Sequence, residues 1–167
     1  MRRLLLALVL TLTCAAACKD YRTVDVSEVP RGLASYRSIG IRTSASRAST
    51  ATPEAIAAFE EDLAKRLQKS EVFHDVVRGD ARAELACRVT IEEAGSYDSI
   101  SLQGGSGFSA KAVVELVDER EAPRTIGGFS VSATDKTTLP DFTTKSGMER
   151  ALFNVSAGIA AQIKKRR

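Results

Sequence analysis

Leu85-Ala86-Cys87-Arg88-Val89-Thr90-Ile91-Glu92 is the stretch that decides the fold. Leu85, Cys87, Val89 and Ile91 fall at every second position, and Glu84, Arg88, Thr90 and Glu92 share the other face. A period of two is that of a β-strand with one face buried and the other solvated. Ala110, Ala112, Val114 and Leu116, alternating with Lys111, Val113, Glu115 and Val117, predict a second long strand. Asp118 to Pro123 reads as a charged turn, and a third strand is expected near Thr125 to Thr134, around Ile126, Phe129 and Val131. Three strands sharing one apolar face require a second layer to cover it.

Two helical patterns supply that layer. Thr52 can cap a helix, Pro53 suits its first position and Glu54 its positive end. Ile56, Phe59, Leu63 and Leu67 then follow at three- and four-residue steps, one apolar stripe ending near Gln68 or Lys69. Met148, Leu152, Val155, Ile159 and Ile163 repeat the spacing near the end of the chain, where Lys164 to Arg167 place cations at the negative helix end. Upstream, Ile39 and Ile41 mark a strand over Arg37 to Thr43, and Phe73 to Val77 a short one closed by Arg78-Gly79-Asp80. The expected fold is α+β: one antiparallel or mixed sheet of about five strands, in the order strand-helix-strand-strand-strand-strand-helix, with both helices packed on one face.

The chain begins Met1-Arg2-Arg3, continues with an apolar run from Leu4 to Leu12, and passes through small residues to Cys18, the order of a secretory signal peptide. The run is far shorter than the roughly 20 residues of a bilayer-spanning helix. Removing residues 1–17 leaves 150 residues with a formal charge of +1, the size of one domain and without the field of a nucleic-acid binder. The organisation read from this is a signal peptide over 1–17, a tether over 18–34 and a single domain over 35–167. Once Cys14 leaves with the signal and Cys18 is acylated, Cys87 has no intramolecular partner, which excludes a disulfide framework.

Ala15-Ala16-Ala17-Cys18 resembles the lipobox of bacterial lipoproteins, with Ala15 where Leu is commonest. The resemblance implies lipid attachment at Cys18, through diacylglycerol on sulfur and an acyl chain of the palmitate type on nitrogen. It implies a membrane partner and a place in the cell envelope. Lys19 after the cysteine points to the outer membrane, facing the periplasm. Ala15 and Ala17 also satisfy the rule for ordinary secretion, so a soluble product cut at the same bond stays open.

The element order, this start and the segment Gly104-Gly105-Ser106-Gly107-Phe108-Ser109-Ala110 entering Ala112-Val113-Val114-Glu115-Leu116-Val117-Asp118 resemble bacterial lipoproteins of domain-of-unknown-function family 4410. The resemblance spans roughly Ser35 to Ile163, and Glu119-Arg120-Glu121-Ala122 stands where that family has a glycine turn. More distantly, the layout is similar to envelope lipoproteins of the curli-secretion and penicillin-binding-protein activator groups. Those are scaffolds and regulators, so the resemblance implies no chemistry.

The residue inventory also speaks against catalysis. His74 is the single histidine and lies beside Asp75, without a patterned nucleophile. Cys87 is in phase with Leu85 and Val89, where a small buried residue is expected, so no metal set is read and no cofactor. The glycines from Gly104 to Gly107 match neither phosphate-loop spacing and precede a strand rather than a helix. Gly95 to Phe108 reads as a long connection, either an inert flexible link or a mobile arm. The arm's candidate partner-binding residues are Gly104, Gly105, Gly107 and Phe108. The leading expectation is a non-enzymatic, membrane-anchored interaction or scaffold module for an envelope protein or cell-wall component. The alternative is a carrier of a small ligand, and an enzyme is third.

Overall fold

A computed structural model describes residues 21–27, 31–99, 105–135 and 147–167. The strands are β1 (Tyr21–Ser27), β2 (Ser38–Ala45), β3 (Asp75–Arg78), β4 (Leu85–Ser99), β5 (Gly105–Asp118) and β6 (Arg124–Asp135). The helices are α1 (Pro53–Ser70) and α2 (Gly147–Lys165), and a single 3₁₀ turn spans Leu33–Ser35. The strands form one sheet of six in the order β1-β6-β5-β4-β2-β3. It is mixed: β2 runs parallel to both β3 and β4, and the other pairs are antiparallel.

The α+β class, the single mixed sheet and the two helices agree with the sequence pattern, which counted about five strands where the sheet has six. The sixth strand is β1, formed by residues read from sequence as tether. It pairs with β6 from Tyr21 opposite Ala133 to Ser27 opposite Gly128. Near the end of that segment, Gly32 and Leu33 donate backbone hydrogen bonds of 2.9 and 3.0 Å to the carbonyl of Arg166. Leu33 is 1% exposed, and Gly32 takes the left-handed φ of 90° that a side chain disfavours.

Leu85, Cys87, Val89 and Ile91 face the helices and are buried, as are Ala110, Ala112, Val114 and Leu116. The long connection expected over Gly95 to Phe108 is instead the outer part of a hairpin, with Gly95 opposite Ser109 and Ser99 opposite Gly105. A bulge explains the misreading. The pairing shifts between Ile91 and Glu93, so the buried face passes from odd positions to Ala94 and the period of two breaks. In β6 the register shifts opposite Leu116 and Val117, and Phe129 and Val131 then enter the core.

The helices run side by side in the same direction. The Ser156 hydroxyl of α2 donates to the Asp62 carboxylate of α1, and one turn further on Arg66, Lys69 and Ser70 line a groove with Ala160, Ala161 and Lys164. Thr52 caps α1 by accepting from the Ala55 amide, and α1 ends at Glu71 with a left-handed φ of 55°. Phe59, Leu63 and Leu67 are buried, while Ile56 packs at the margin of the core. On α2, Leu152, Val155, Ile159 and Ile163 are buried.

Gly158 sets how close α2 comes to the sheet. A Cβ there would lie 2.6 Å from Val131 Cγ1 and 2.8 Å from Tyr21 Cδ2, so only glycine admits both contacts. Beside it, Gln162 Nε2 donates to Thr23 Oγ1 at 2.7 Å. These contacts seat β1 under α2, with Tyr21 and Thr23 turned to the helix and Val24 58% exposed on the other face. Gly158→Ala is expected to destabilise the domain by about 1–3 kcal/mol through overpacking. Gly95→Ala, whose new Cβ would meet only Thr50 Oγ1 at 3.4 Å, should leave the denaturant midpoint unchanged or raised. Equal losses in the two variants would contradict the close approach.

Candidate functional site

The residues singled out from sequence do not converge on one place. Cys18 and Gly104 lie outside the described residues. Gly105 opens β5 and pairs with Ser99, and Gly107 pairs with Tyr97. Phe108 lies in phase with Ala110 and Ala112 and so faces the helices. A Cβ on Gly147 would come within 2.1 Å of Phe108 Cδ2, which puts the ring directly on the first residue of α2. Phe108 therefore packs against the core as a half-buried side chain and is not presented outward on an arm.

His74 and Asp75 form an exposed pair, with Nδ1 and a carboxylate oxygen 3.0 Å apart. The Cys87 thiol is wholly buried, and burial pushes its pKa up to about 12, so it stays a protonated, inert filler of the core. Among the described residues no group of three or more His, Cys, Asp or Glu side chains is placed to hold a metal ion. No helix among them is long and apolar enough to cross a membrane.

The most organised polar cluster sits where β5 turns into β6, a turn that sequence marked only as charged. The Asp118 carboxylate accepts from the Tyr36 hydroxyl at 2.9 Å, from the Arg120 amide at 3.1 Å, and from Arg120 Nε and Nη2 at 3.1 and 2.7 Å. The Arg120 guanidinium also lies 4.3 Å from the centroid of the Tyr36 ring, within cation–π range. The Arg120 hydrogen bonds, followed by that of Tyr36, hold the Asp118 carboxyl well below the usual carboxylate range. Burial and the Asp118 hydrogen bond raise the Tyr36 hydroxyl in turn.

Glu119 ties this turn to the open face of the sheet. It accepts a two-point contact from Arg42 at 2.5 and 3.0 Å, and Arg88 approaches at 3.4 Å. The Arg42 hydrogen bonds lower the Glu119 pKa. The Glu119 amide donates to the Glu84 carbonyl at 2.8 Å, and the Glu84 carboxylate accepts from the Arg37 amide at 2.7 Å. Three segments distant in sequence, around Tyr36, Glu84 and Asp118, are thus stapled at one end of the sheet. The signal for this was the spacing Asp118-x-Arg120, but the partner Tyr36 is 82 residues away and cannot be inferred from local pattern.

These bonds fix an acid limit. Asp118 and Glu119 are depressed in the folded state, so their stabilisation is complete above the unfolded values near pH ~4 and disappears as pH falls through the lower folded values. Asp118→Asn should be less stable than the parent at neutral pH and lose less stability below about pH 4. Parallel pH profiles of the two proteins, by chemical unfolding, would show that Asp118 gains nothing from its donors.

No established family matches the chain, so the resemblance to family 4410 rests on the residues quoted for it. No curated protein matches it either. Solved structures do. The PelC dodecamer from Paraburkholderia phytofirmans is similar with a TM-score of 0.58 at 17% identity, over 87% of this chain and 100% of that one. A Xanthomonas campestris protein of domain-of-unknown-function family 330 is similar with a TM-score of 0.56 at 11% identity, over 84% of this chain and 90% of that one. A minor lipoprotein from Acinetobacter baumannii lies further off, with a TM-score of 0.44 at 12% identity over 78% of this chain and 92% of that one. At these identities, PelC and the Xanthomonas protein share the fold with this chain.

Proposed function

We propose that the protein is a non-enzymatic lipoprotein of the bacterial envelope, anchored through acylated Cys18 in the outer membrane and facing the periplasm, where its domain serves as an interaction or scaffold module. The observation that carries the reading is the junction Ala15-Ala16-Ala17-Cys18, which stands three residues before a strand built into the sheet. A polar open face whose charges pair across strands supports the reading as an interaction module. Lys111 pairs with Glu92 at 2.6 Å, and Thr125 donates to Glu115 at 2.5 Å. The grooves near the 118–124 turn are lined by Asp118, Arg120, Glu121 and Arg124, and by Arg82, Glu84 and Glu119. A small-ligand carrier would want apolar walls instead, which makes it the weaker alternative. Self-assembly is a further way to use such a face, and PelC, of similar fold, is described as a dodecamer.

Expression of the full chain in a bacterial host tests the anchor. The mature protein should sediment with membranes and carry a diacylglycerol-plus-acyl mass increment on Cys18, and Cys18→Ser should leave the precursor uncut or the product free. Two acyl groups or more are needed for stable attachment, since one chain alone binds only at about 10⁴ M⁻¹. An unmodified Cys18 in the native product would contradict the anchor.

A further inference from the structure

We infer that the outer end of the β4–β5 hairpin, Gly95–Ser99 with Gly105–Ser109, is the part of the domain that rests on the lipid bilayer. The inference rests on the acylation of Cys18 proposed above and goes beyond it by fixing which surface meets the lipid. Tyr21 is opposite Ala133, Ala133 opposite Ala110 and Ala110 opposite Ala94, so these residues mark one row straight across four strands. From that row β1 runs toward the charged turn, and the chain enters the sheet from the hairpin side. Cys18 precedes Tyr21 by three peptide steps, which limits it to about 11 Å from the row by any path. A free tether over residues 18–34 would have reached more than about 50 Å and left the domain unoriented.

On the same side of the row the hairpin continues from Gly95 to Ser99, five residues or about 17 Å at the usual strand rise. The overhang is longer than the reach of the anchor. A bilayer that takes up the acyl chains on that side meets the hairpin before the other described strands. Chemistry agrees with geometry. Over Gly95–Ser99 and Gly105–Ser109 the sequence carries one charged side chain, Asp98, so the approach of these strand ends to headgroups takes little charge out of water. The opposite end carries Arg120, Glu121 and Arg124, and β5, 14 residues long, separates the two ends by about 45 Å. The charged turn then points into the periplasm.

Single cysteines can locate the lipid, because Cys87 is fully buried and does not label. Ser96→Cys on the hairpin, Val24→Cys on the β1 edge and Glu121→Cys at the charged turn are each labelled with a fluorophore in the acylated protein. The proteins are bound to vesicles of phosphatidylethanolamine and phosphatidylglycerol containing nitroxide-headgroup lipid, and melting curves confirm that each folds. Quenching should be several-fold greater at Ser96→Cys than at either other position. Stronger quenching at Val24→Cys would mean that the domain lies on its β1 edge, and at Glu121→Cys that it stands inverted. Either result overturns the inference while leaving the anchor intact, as would acylated, vesicle-bound protein quenched at none of the three. Protein with an unmodified Cys18 overturns both.

Discussion

Tyr21 lies against α2 because residue 158 has no side chain, and the rest of the architecture depends on that contact. The helix must cover β4, β5 and β6, whose inward residues are almost completely buried, and it must also come low enough over the sheet edge to hold one more strand. Val131 on β6 and Tyr21 on β1 both occupy the space that a Cβ at Gly158 would need. The position therefore seats the edge strand and fixes the height of the helix at once. Edge strands expose unpaired backbone groups and are the easiest to detach, so a packed aromatic and the Gln162 to Thr23 hydrogen bond supply what pairing on one side alone does not.

From this follows a division of the molecule into two ends. At one end the chain enters through β1 and the β4–β5 hairpin projects. At the other, Tyr36, Asp118 and Arg120 close a small network in which one carboxylate satisfies four donors. The network sits where three chain segments meet, and each of its members would be an unpaired polar group without the others. Its place opposite the chain entry leaves a rigid, charged surface at the end remote from the proposed anchor. Between the ends, the open face is laced by cross-strand pairs such as Lys111 with Glu92, which keep it soluble without burying it.

The central meander and both helices were legible in the sequence because their signals are periodic and local. Leu85, Cys87, Val89 and Ile91 follow the pleat, and Phe59, Leu63 and Leu67 follow the helix turn. What was lost was lost at breaks in period. The bulge between Ile91 and Glu93 ended the readable part of β4 and turned a hairpin into an apparent long connection, at whose end Phe108 stood as a candidate partner-binding residue on one of two readings. In Tyr21-Arg22-Thr23-Val24 the apolar Val24 points to solvent and polar Thr23 points to α2, so alternation misleads. The β-branched and aromatic character of that stretch was the remaining signal. The Tyr36 to Asp118 contact is a product of tertiary structure alone.

Amide hydrogen exchange across Tyr21–Ser27 tests most directly whether this segment is a strand rather than a tether. In an edge strand only alternate amides bond the neighbour, so those directed at β6 should be protected to near the level of β6 itself, with their outward neighbours exchanging faster. Uniform exchange across the segment at the rate of an unstructured peptide, with β5 and β6 still protected, would contradict it.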